Sequence, residues 1–347
     1  MLLLALIAAA AVVVTTRVAS GDPSEGISGA GAQRAGVSII VARQLAQVAP
    51  VDPPVPGNAA LGTVLEGPAF GPDGLLYFVR ATAPSGQPKI IAFDPMTRRS
   101  RGIYTDDHSI LSSVQFSPAD GKLYATDFTG AIHRLNRDGT GFTTVVSGPV
   151  LGSPMVVDDL AFDRSGAMFA VDMRGTPWSP VGRLIRFDPD GSHPTLLLDG
   201  LAAPNGISFT PDFSALWVSE FTAGREDYLP LSGDHTAIAT GIGAGHIGMY
   251  ISVGQAQLDS NAVDTAGNIY QCVFDGGEVR VFTPDGSLVA KIVVPQTLPR
   301  DELLTTNLAI KPGTRAGYLV VGGHSGGFVY SFKSLAPGGW QSNGGGA

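Results

Sequence analysis

The chain contains little cysteine and little charge. Cys272 is the single cysteine among 347 residues, so an intramolecular disulfide is excluded. Charged residues make up 15% of the sequence, the formal net charge is −8, and Lys and Arg form no cluster. Nucleic-acid binding is therefore not expected, because phosphate neutralisation requires a basic face. The hydrophobic share of 44% is large enough to bury a core, which excludes an intrinsically disordered chain.

Long apolar runs are absent after the N-terminus. Residues 2–14 form one uninterrupted apolar run, which is too short to span a bilayer comfortably and has the length of a signal-peptide core. Residues 18–20, Val-Ala-Ser, offer a cleavage site, although no Lys or Arg precedes the run. We therefore expect residues 1–20 to be a signal peptide or N-terminal hydrophobic segment of a secreted, periplasmic or cell-envelope protein. If the run is not a signal, a cytoplasmic protein is expected. No stable membrane span is expected after processing.

Glycine and proline, by contrast, are abundant. The 46 Gly and 25 Pro favour an all-β fold with many turns. Residues 21–36 are rich in Gly, Ala and Ser and are predicted to form a flexible linker, and residues 341–347 a flexible tail. One folded domain is expected between them, over residues 37–340.

A single pattern recurs six times within this domain. Each copy contains an apolar strand, a turn with Asp, Pro or Gly, and a second apolar strand, as in LSSVQFSPADGKLYAT from Leu111. Equivalent positions of successive copies lie 46, 46, 47, 54 and 47 residues apart. Six units of this period, with about four short strands each, predict a six-bladed β-propeller. The strand at residues 36–41 is predicted to complete the last blade and so to protect its edge.

One register position of the repeat bears a side-chain oxygen in every copy. Its six occupants are Glu66, Ser112, Asp158, Asn205, Asp259 and Thr306. Such residues often begin strands or cap turns, so one alone would carry no information. In a propeller, however, the first strand of each blade lines the channel, so equivalent positions form a ring. Three carboxylates on one axis resist ionisation unless a cation lies between them. With oxygen donors and no His or Cys in the ring, a hard cation is predicted, and calcium is favoured over magnesium.

Several segments carry a resemblance to a known family. They are VDDLAFD from Val157, VDMRG from Val171, PNGISFTPD from Pro204, ALWVSE from Ala215, DSNAVDTAGNIY from Asp259 and GGEVRVFTPDG from Gly276. In order and spacing, the chain resembles the gluconolactonase and senescence-marker-protein family of calcium-dependent six-bladed propellers, which also includes diisopropyl fluorophosphatase. Within that family it is most similar to the drug-responsive bacterial lactonase subgroup. The resemblance covers residues 65–332.

The resemblance implies a set of metal ligands at matching positions. They are Glu66, Asp158, Asn205, Asp259 and Ser260. Asp158 stands where many family members have asparagine and the lactonase subgroup has aspartate. The subgroup's second, structural calcium uses an aspartate in the loop before the third blade. The equivalent position here falls near Val150, which cannot coordinate, so one catalytic calcium is expected and a second ion is not.

The resemblance also implies an activity, that of a metal-dependent carboxylic ester hydrolase that opens a lactone ring. Calcium would polarise the carbonyl. Asp259 would be the catalytic residue, acting as general base for water or donating a proton to the leaving alkoxide. A small-molecule lactone or ester is then the expected partner. Two other readings stay open: an organophosphate or other ester hydrolase at the same site, and a non-enzymatic binding propeller stabilised by calcium.

A few further residues are candidates for the substrate cleft. Trp178 and Phe221 either shape the cleft or are packing residues, and His246 and His324 lie in Gly-rich loops that could line it. Residues 224–254 account for the longest repeat spacing, and a long Gly-rich insert of this kind could form a lid over the channel mouth.

Overall fold

The structure, a computed structural model, describes residues 36–54, 61–239, 247–254, 256–295 and 303–340. Within these ranges the chain forms 25 strands and no helix, which confirms the predicted all-β fold. The predicted signal segment, the linker up to residue 35 and the C-terminal tail lie outside the described residues. No helix of the described ranges is long and apolar enough to cross a membrane.

The described strands form six sheets, which are the six blades of a β-propeller. Two strands precede the blades, namely β1 (Ser38–Val41) and β2 (Arg43–Ala49). Blade I contains β3 (Leu65–Phe70), β4 (Leu76–Arg80), β5 (Ile90–Asp94) and β6 (Arg99–Tyr104). Blade II contains β7 (Leu111–Phe116), β8 (Leu123–Asp127), β9 (Ala131–Leu135) and β10 (Thr143–Val146). Blade III contains β11 (Val157–Phe162), β12 (Met168–Asp172), β13 (Gly182–Phe187) and β14 (Thr195–Leu201).

The second half of the ring follows the same plan. Blade IV contains β15 (Pro204–Phe209), β16 (Ala215–Glu220), β17 (Arg225–Pro230) and β18 (Ile247–Tyr250). Blade V contains β19 (Leu258–Val263), β20 (Ile269–Val273), β21 (Glu278–Phe282) and β22 (Leu288–Val293). Blade VI contains β23 (Leu303–Ile310), β24 (Ala316–Gly323) and β25 (Gly327–Lys333). The inner strands pack against one another in sequence, and β23 packs against β3, which closes the ring.

The N-terminal strands close the ring differently from the prediction. β2 pairs antiparallel with β25 and is the fourth strand of blade VI, whereas β1 pairs parallel with β22 as a fifth strand of blade V. The prediction that residues 36–41 complete the last blade is therefore wrong, and the closing strand is the next one. The apolar character of β1 was the misleading cue. An outer strand is half exposed, so the more polar β2 suits that position as well as β1 does.

The repeated apolar residue of each copy holds neighbouring blades together. Four of these residues are phenylalanines that contact an aromatic ring on the second strand of the preceding blade, edge to face. The pairs are Phe70–Tyr318, Tyr77–Phe116, Tyr124–Phe162 and Phe169–Phe209, with ring centroids 5.1–5.4 Å apart. This geometry is the favoured one for aromatic pairs. The period seen in the sequence is therefore the period of the contacts between blades.

Each inner strand carries a β-bulge close to its polar ring position. In blade I the register with the second strand shifts between Glu66 and Ala69, and in blade V it shifts between Leu258 and Asn261. The other four inner strands show shifts at the corresponding place. A bulge leaves residues unpaired and re-aims their side chains. The polar positions are thereby freed from the regular alternation of the strand and can face the channel.

The C-terminal segment after β25 crosses the end of the propeller at which the inner strands finish. The backbone nitrogen of Leu335 donates to the Tyr270 hydroxyl (2.7 Å), and that of Ala336 donates to Asp264 (3.0 Å). Further on, Trp340 packs against Phe213, with ring centroids 5.3 Å apart. The segment thus runs from blades V and VI towards blades III and IV, and it covers this end of the channel.

Candidate functional site

A pocket lies at the opposite end, where the inner strands begin. Its floor is formed by Glu66, Asp158, Asn205 and Asp259, one residue from each of four blades. The enclosed space is a cavity of about 30 Å³, which is enough for an ion or for one or two water molecules. All four side chains are buried. The structure therefore brings together four of the five residues proposed as ligands at the base of one pocket.

The fifth, Ser260, joins them through hydrogen bonds. Its hydroxyl donates to Asn205 Oδ1 (3.2 Å), and its backbone nitrogen donates to Asp259 Oδ1 (3.0 Å). Asn205 Nδ2 in turn donates to Asp158 Oδ2 (2.6 Å). The floor is therefore a connected polar network that links blades III, IV and V.

Two members of the predicted ring, Ser112 and Thr306, do not line the pocket. The Ser112 hydroxyl donates to the carbonyl oxygen of Val157 (2.9 Å), and the Thr306 hydroxyl donates to that of Leu65. Each hydroxyl thus binds the backbone of a neighbouring blade. A short hydroxyl side chain on a buried strand is satisfied by the nearest carbonyl, whereas Glu, Asp and Asn extend further into the channel. The predicted ring therefore contributes four of its six side chains to the pocket.

The buried carboxylates of the floor repel one another. Burial and then the charges of Asp259, Asp158 and Asp159 raise the pKa of Glu66 well above its usual value. Burial and the neighbouring carboxylates raise the pKa values of Asp158 and Asp259 in the same way. Among the described residues, no Lys, Arg or His forms an ion pair with any of these acids. Within the described residues, no positively charged side chain therefore balances this cluster of carboxylates.

Asp159 is a site residue that the sequence analysis missed. It is buried beside Asp158, and Asn307 Nδ2 donates to its Oδ2 (3.2 Å). Burial raises the pKa of Asp159 to about 6, while hydrogen bonds from Ser113, Ser260 and Asn307 act in the opposite direction. Strict strand alternation would place Asp159 on the face opposite to Asp158. The bulge in β11 removes that constraint, and the Asp-Asp pair in VDDLAFD is the one sequence signal that could have found it.

Above the floor, the pocket wall is apolar. Its members include the residue that directly follows the second strand in five blades, and we call these five residues the collar. The collar consists of Ala81, Phe128, Met173, Phe221 and Phe274. Phe221 and Phe274 are in edge contact, with ring centroids 5.4 Å apart. The sequence analysis named Phe221 alone, although all five occupy one register position of the repeat.

The other described cleft candidates do not line the pocket. Trp178 is 94% exposed at the tip of a loop and does not line the pocket floor or wall. His324 is exposed and likewise does not line the pocket, and His246 falls outside the described residues. Within the proposed lid, residues 224–254, the described residues include β17 and β18 of blade IV, and residues 240–246 lie outside the described ranges.

The loop before blade III is held by a protein cation. Arg183 on β13 donates from its guanidinium to the carbonyl oxygens of Val150 (2.9 Å) and Pro154 (3.1 Å). The same side chain donates to Asp172 Oδ2 (2.7 Å), and Asp172 Oδ1 accepts from the backbone nitrogen of Val156 (2.9 Å). This network fixes the entry into β11, which carries Asp158 and Asp159.

The donor set of the floor fits a hard cation. It consists of oxygen ligands from buried carboxylates, an amide and a hydroxyl, and these are the ligands that calcium prefers. In the described residues, no three His, Cys, Asp or Glu side chains are already arranged around one point, and Asn205 instead offers its Nδ2 to Asp158. A half-turn of the Asn205 amide exchanges its oxygen and nitrogen, and would present the oxygen to the cavity.

Fold and site together define a six-bladed β-propeller with a buried acidic centre at the mouth of its channel. The sequence profile described as the SMP-30/gluconolactonase/LRE-like region matches residues 65–304, and the chain belongs to this family. It is 28% identical over 264 residues to Lactonase drp35 of Staphylococcus epidermidis, covering 73% of this chain and 76% of that protein.

Solved structures share the fold. A luciferin-regenerating enzyme superimposes with a TM-score of 0.68 at 17% identity, over 89% of this chain and 100% of that one. A regucalcin from Agrobacterium tumefaciens, described as a calcium-binding protein, gives a TM-score of 0.65 at 16% identity, over 88% and 98%. These likenesses confirm the propeller architecture.

Proposed function

We propose that the protein is a calcium-dependent hydrolase that opens a lactone ring. The observation that carries this proposal is the cluster of buried carboxylates at the base of an apolar pocket, with no countercharge among the described residues. The similarity to proteins named lactonase supports the reaction, and the likeness to a calcium-binding propeller supports the ion. Export of the protein, proposed from its N-terminal run, would place the enzyme in a calcium-containing environment.

Five residues would hold the ion at the floor of the pocket. They are Glu66, Asp158, Asn205, Asp259 and Ser260. Bound there, calcium supplies Lewis-acid polarisation of the lactone carbonyl. Asn205 and Ser260 contribute neutral oxygens, so the ligand charge comes from the three carboxylates. Asp159 adds a fourth negative charge behind them without being placed among the ligands.

Asp259 is proposed to move the proton. As a base, it accepts a proton from water while the water oxygen bonds to the carbonyl carbon. When the ring C–O bond breaks, the same carboxyl returns the proton to the alkoxide oxygen, and the product is a hydroxy acid. Asp259 lines the floor of the pocket, so its carboxyl group is positioned for this role.

The collar excludes water and selects the substrate. Met173, Phe221, Phe274 and Phe128 offer no polar side-chain atom to a substrate except the Met173 sulfur. A polyhydroxylated substrate would bury hydroxyls without partners against this wall, at a cost of about 1–3 kcal/mol for each unpaired group. The pocket therefore favours lactones and esters whose surroundings are apolar.

Parallel assays test this function. We expect hydrolysis of simple lactones that is lost on exhaustive chelation and restored by calcium. Phosphotriesters assayed in the same way distinguish an organophosphate hydrolase at the same site. Asp227→Asn is a suitable control, because Asp227 is a buried acid that does not line the pocket. Failure to hydrolyse either class while calcium is bound would show a non-enzymatic binding propeller.

A further inference from the structure

The mouth of the pocket is surrounded by connections of very different length. The connection between the second and third strands has three or four residues in blades II, IV, V and VI, and nine residues in blades I and III. Four of these connections are tight turns that leave the mouth open. The blade III connection, residues 173–181, starts from the collar residue Met173, whose sulfur lies 3.9 Å from Asn205 Nδ2. We call this connection the finger.

The base of the finger is firmly attached to the propeller. The Met173 nitrogen donates to the Val156 carbonyl (2.7 Å), and the Arg174 carbonyl accepts from the Ala203 nitrogen (3.0 Å). Gly175 adopts a positive φ of 101°, and a Cβ atom there would lie 2.7 Å from the Val181 nitrogen. Only glycine allows this close approach of the two sides of the finger.

The tip of the finger is also ordered, yet it exposes a large apolar side chain. Thr176 and Ser179 exchange two backbone hydrogen bonds of 3.1 and 3.0 Å across the tip. Between them lie Pro177, whose ring fixes its φ, and Trp178, which is 94% exposed. The finger is about three residues high, so it extends about 10 Å from its base.

Two further apolar residues are exposed, one in the finger and one in the loop before blade III. Val181, at the end of the finger, and Leu151, in the loop that Arg183 ties to β13, are each 49% exposed. Val181 and Trp178 both belong to the finger that begins at the collar residue Met173, so this connection exposes two apolar side chains at the pocket end of blade III.

We propose that Trp178 is a specificity-determining residue that binds the apolar tail of a lactone whose reacting carbonyl group faces the pocket floor. The inference rests on the proposed function and narrows its substrate class to lactones with an alkyl or aryl substituent. The small cavity at the floor accepts the reacting group, so a longer substituent has to leave through the mouth. Because the finger is ordered before binding, little conformational entropy is lost when the tail packs against the indole ring.

A chain-length series provides the kinetic test. Wild-type KM should fall from γ-butyrolactone to γ-decalactone as methylenes are buried. Trp178→Ala should lower the preference for γ-decalactone, measured as the ratio of the two kcat/KM values, at least about tenfold. The loss should lie in KM rather than kcat, and Trp178→Phe should restore part of it. Met96→Ala removes another exposed apolar side chain, which lies on a turn at the opposite face, and should leave the ratio unchanged. An unchanged ratio in Trp178→Ala would overturn the proposal.

A fluorescence measurement separates this inference from the proposed activity. Of the three tryptophans, Trp217 is buried and Trp340 is half-buried, so iodide should quench Trp178 preferentially. The non-hydrolysable 2-pentylcyclopentanone should protect Trp178 from iodide, whereas cyclopentanone, which has no tail, should not. Protection of Trp178 by the ketone without any lactone hydrolysis would contradict the proposed function but support tail binding by the finger. Absence of protection refutes the finger's role even in an active lactonase. Protection by phosphatidylcholine vesicles but not by the ketone would identify a membrane-binding loop and would also refute it.

Discussion

Calcium should stabilise the protein much more at pH 8 than at pH 5. In the metal-free protein, burial and mutual repulsion raise the pKa values of Glu66, Asp158 and Asp259, and burial raises that of Asp159 to about 6. The folded state therefore binds more protons than the unfolded state above pH 4, so metal-free stability falls as pH rises through the raised pKa values. Calcium displaces these protons, and its stabilising effect grows over the same range.

The magnitude follows from mass action. A calcium concentration 100 times Kd stabilises the folded state by about 2.7 kcal/mol. Unfolding entropy of about 2.1 cal/mol/K per residue gives about 0.6 kcal/mol/K for a propeller of roughly 300 residues. The expected rise in Tm is therefore about 4 °C at pH 8, and clearly less at pH 5, where protons compete for the carboxylates.

Differential scanning calorimetry with calcium or with a chelator, at pH 5, 7 and 8, measures this effect. Asp227→Asn is the matched control, because Asp227 is buried outside the pocket, and the calcium shift should survive in it. Asp259→Asn should reduce both the shift and its dependence on pH. Equal shifts at pH 5 and pH 8 would contradict the role of the raised carboxylates. An unchanged Tm after chelation, with no metal found by elemental analysis, would refute the metal centre itself.

Three further outcomes are expected. Asp259→Asn should lower turnover about 100-fold or more even at saturating calcium. Asn205→Ala should bind calcium more weakly and regain part of its rate when calcium is added. Rescue of Asp259→Asn by calcium would show that Asp259 is a ligand alone. Burial and the charge of Glu220 raise the pKa of Asp227 to about 8, so folded Asp227 holds a proton that the unfolded chain loses near pH 4. Asp227 alone should lower stability in urea denaturation by up to about 1.4 kcal/mol per unit between pH 4 and 8, and an identical pH profile in wild type and Asp227→Asn would contradict this assignment. Mass spectrometry of protein from its natural host should find about 20 residues removed, and an intact Met1 on soluble cytoplasmic protein would exclude export.

The propeller was predictable because each blade needs the same kind of contact with the blade before it. A phenylalanine such as Phe116 packs against an aromatic ring of the preceding blade, here Tyr77, and the residues that make this contact recur once per blade. The carboxylates of the floor were predictable for a related reason, since one register position of a closed ring converges on its axis. Ring closure itself was mispredicted, because an outer strand such as β2 needs no apolar signature.

The floor of the site was predicted less completely than its ligands. Ser112 occupies the predicted ring position, but its short side chain does not line the pocket, and its hydroxyl binds the Val157 carbonyl. Asp159 was missed because strand alternation places it opposite to Asp158, whereas the bulge of β11 brings both into the channel. A bulge depends on pairing with the neighbouring strand, so it cannot be inferred from the strand alone.

Sequence alone determined the blade count, the period and the oxygen-rich ring position, because these follow from contacts that repeat along the chain. Tertiary structure alone decided which polar side chains face the cavity, that collar residues such as Phe128 and Phe274 line the wall above it, and that Trp178 stands exposed on the finger. These features depend on distances between blades that are far apart in sequence. Burial then set the chemistry, since the acids of the floor acquire their raised pKa values only when the closed ring removes water from around them.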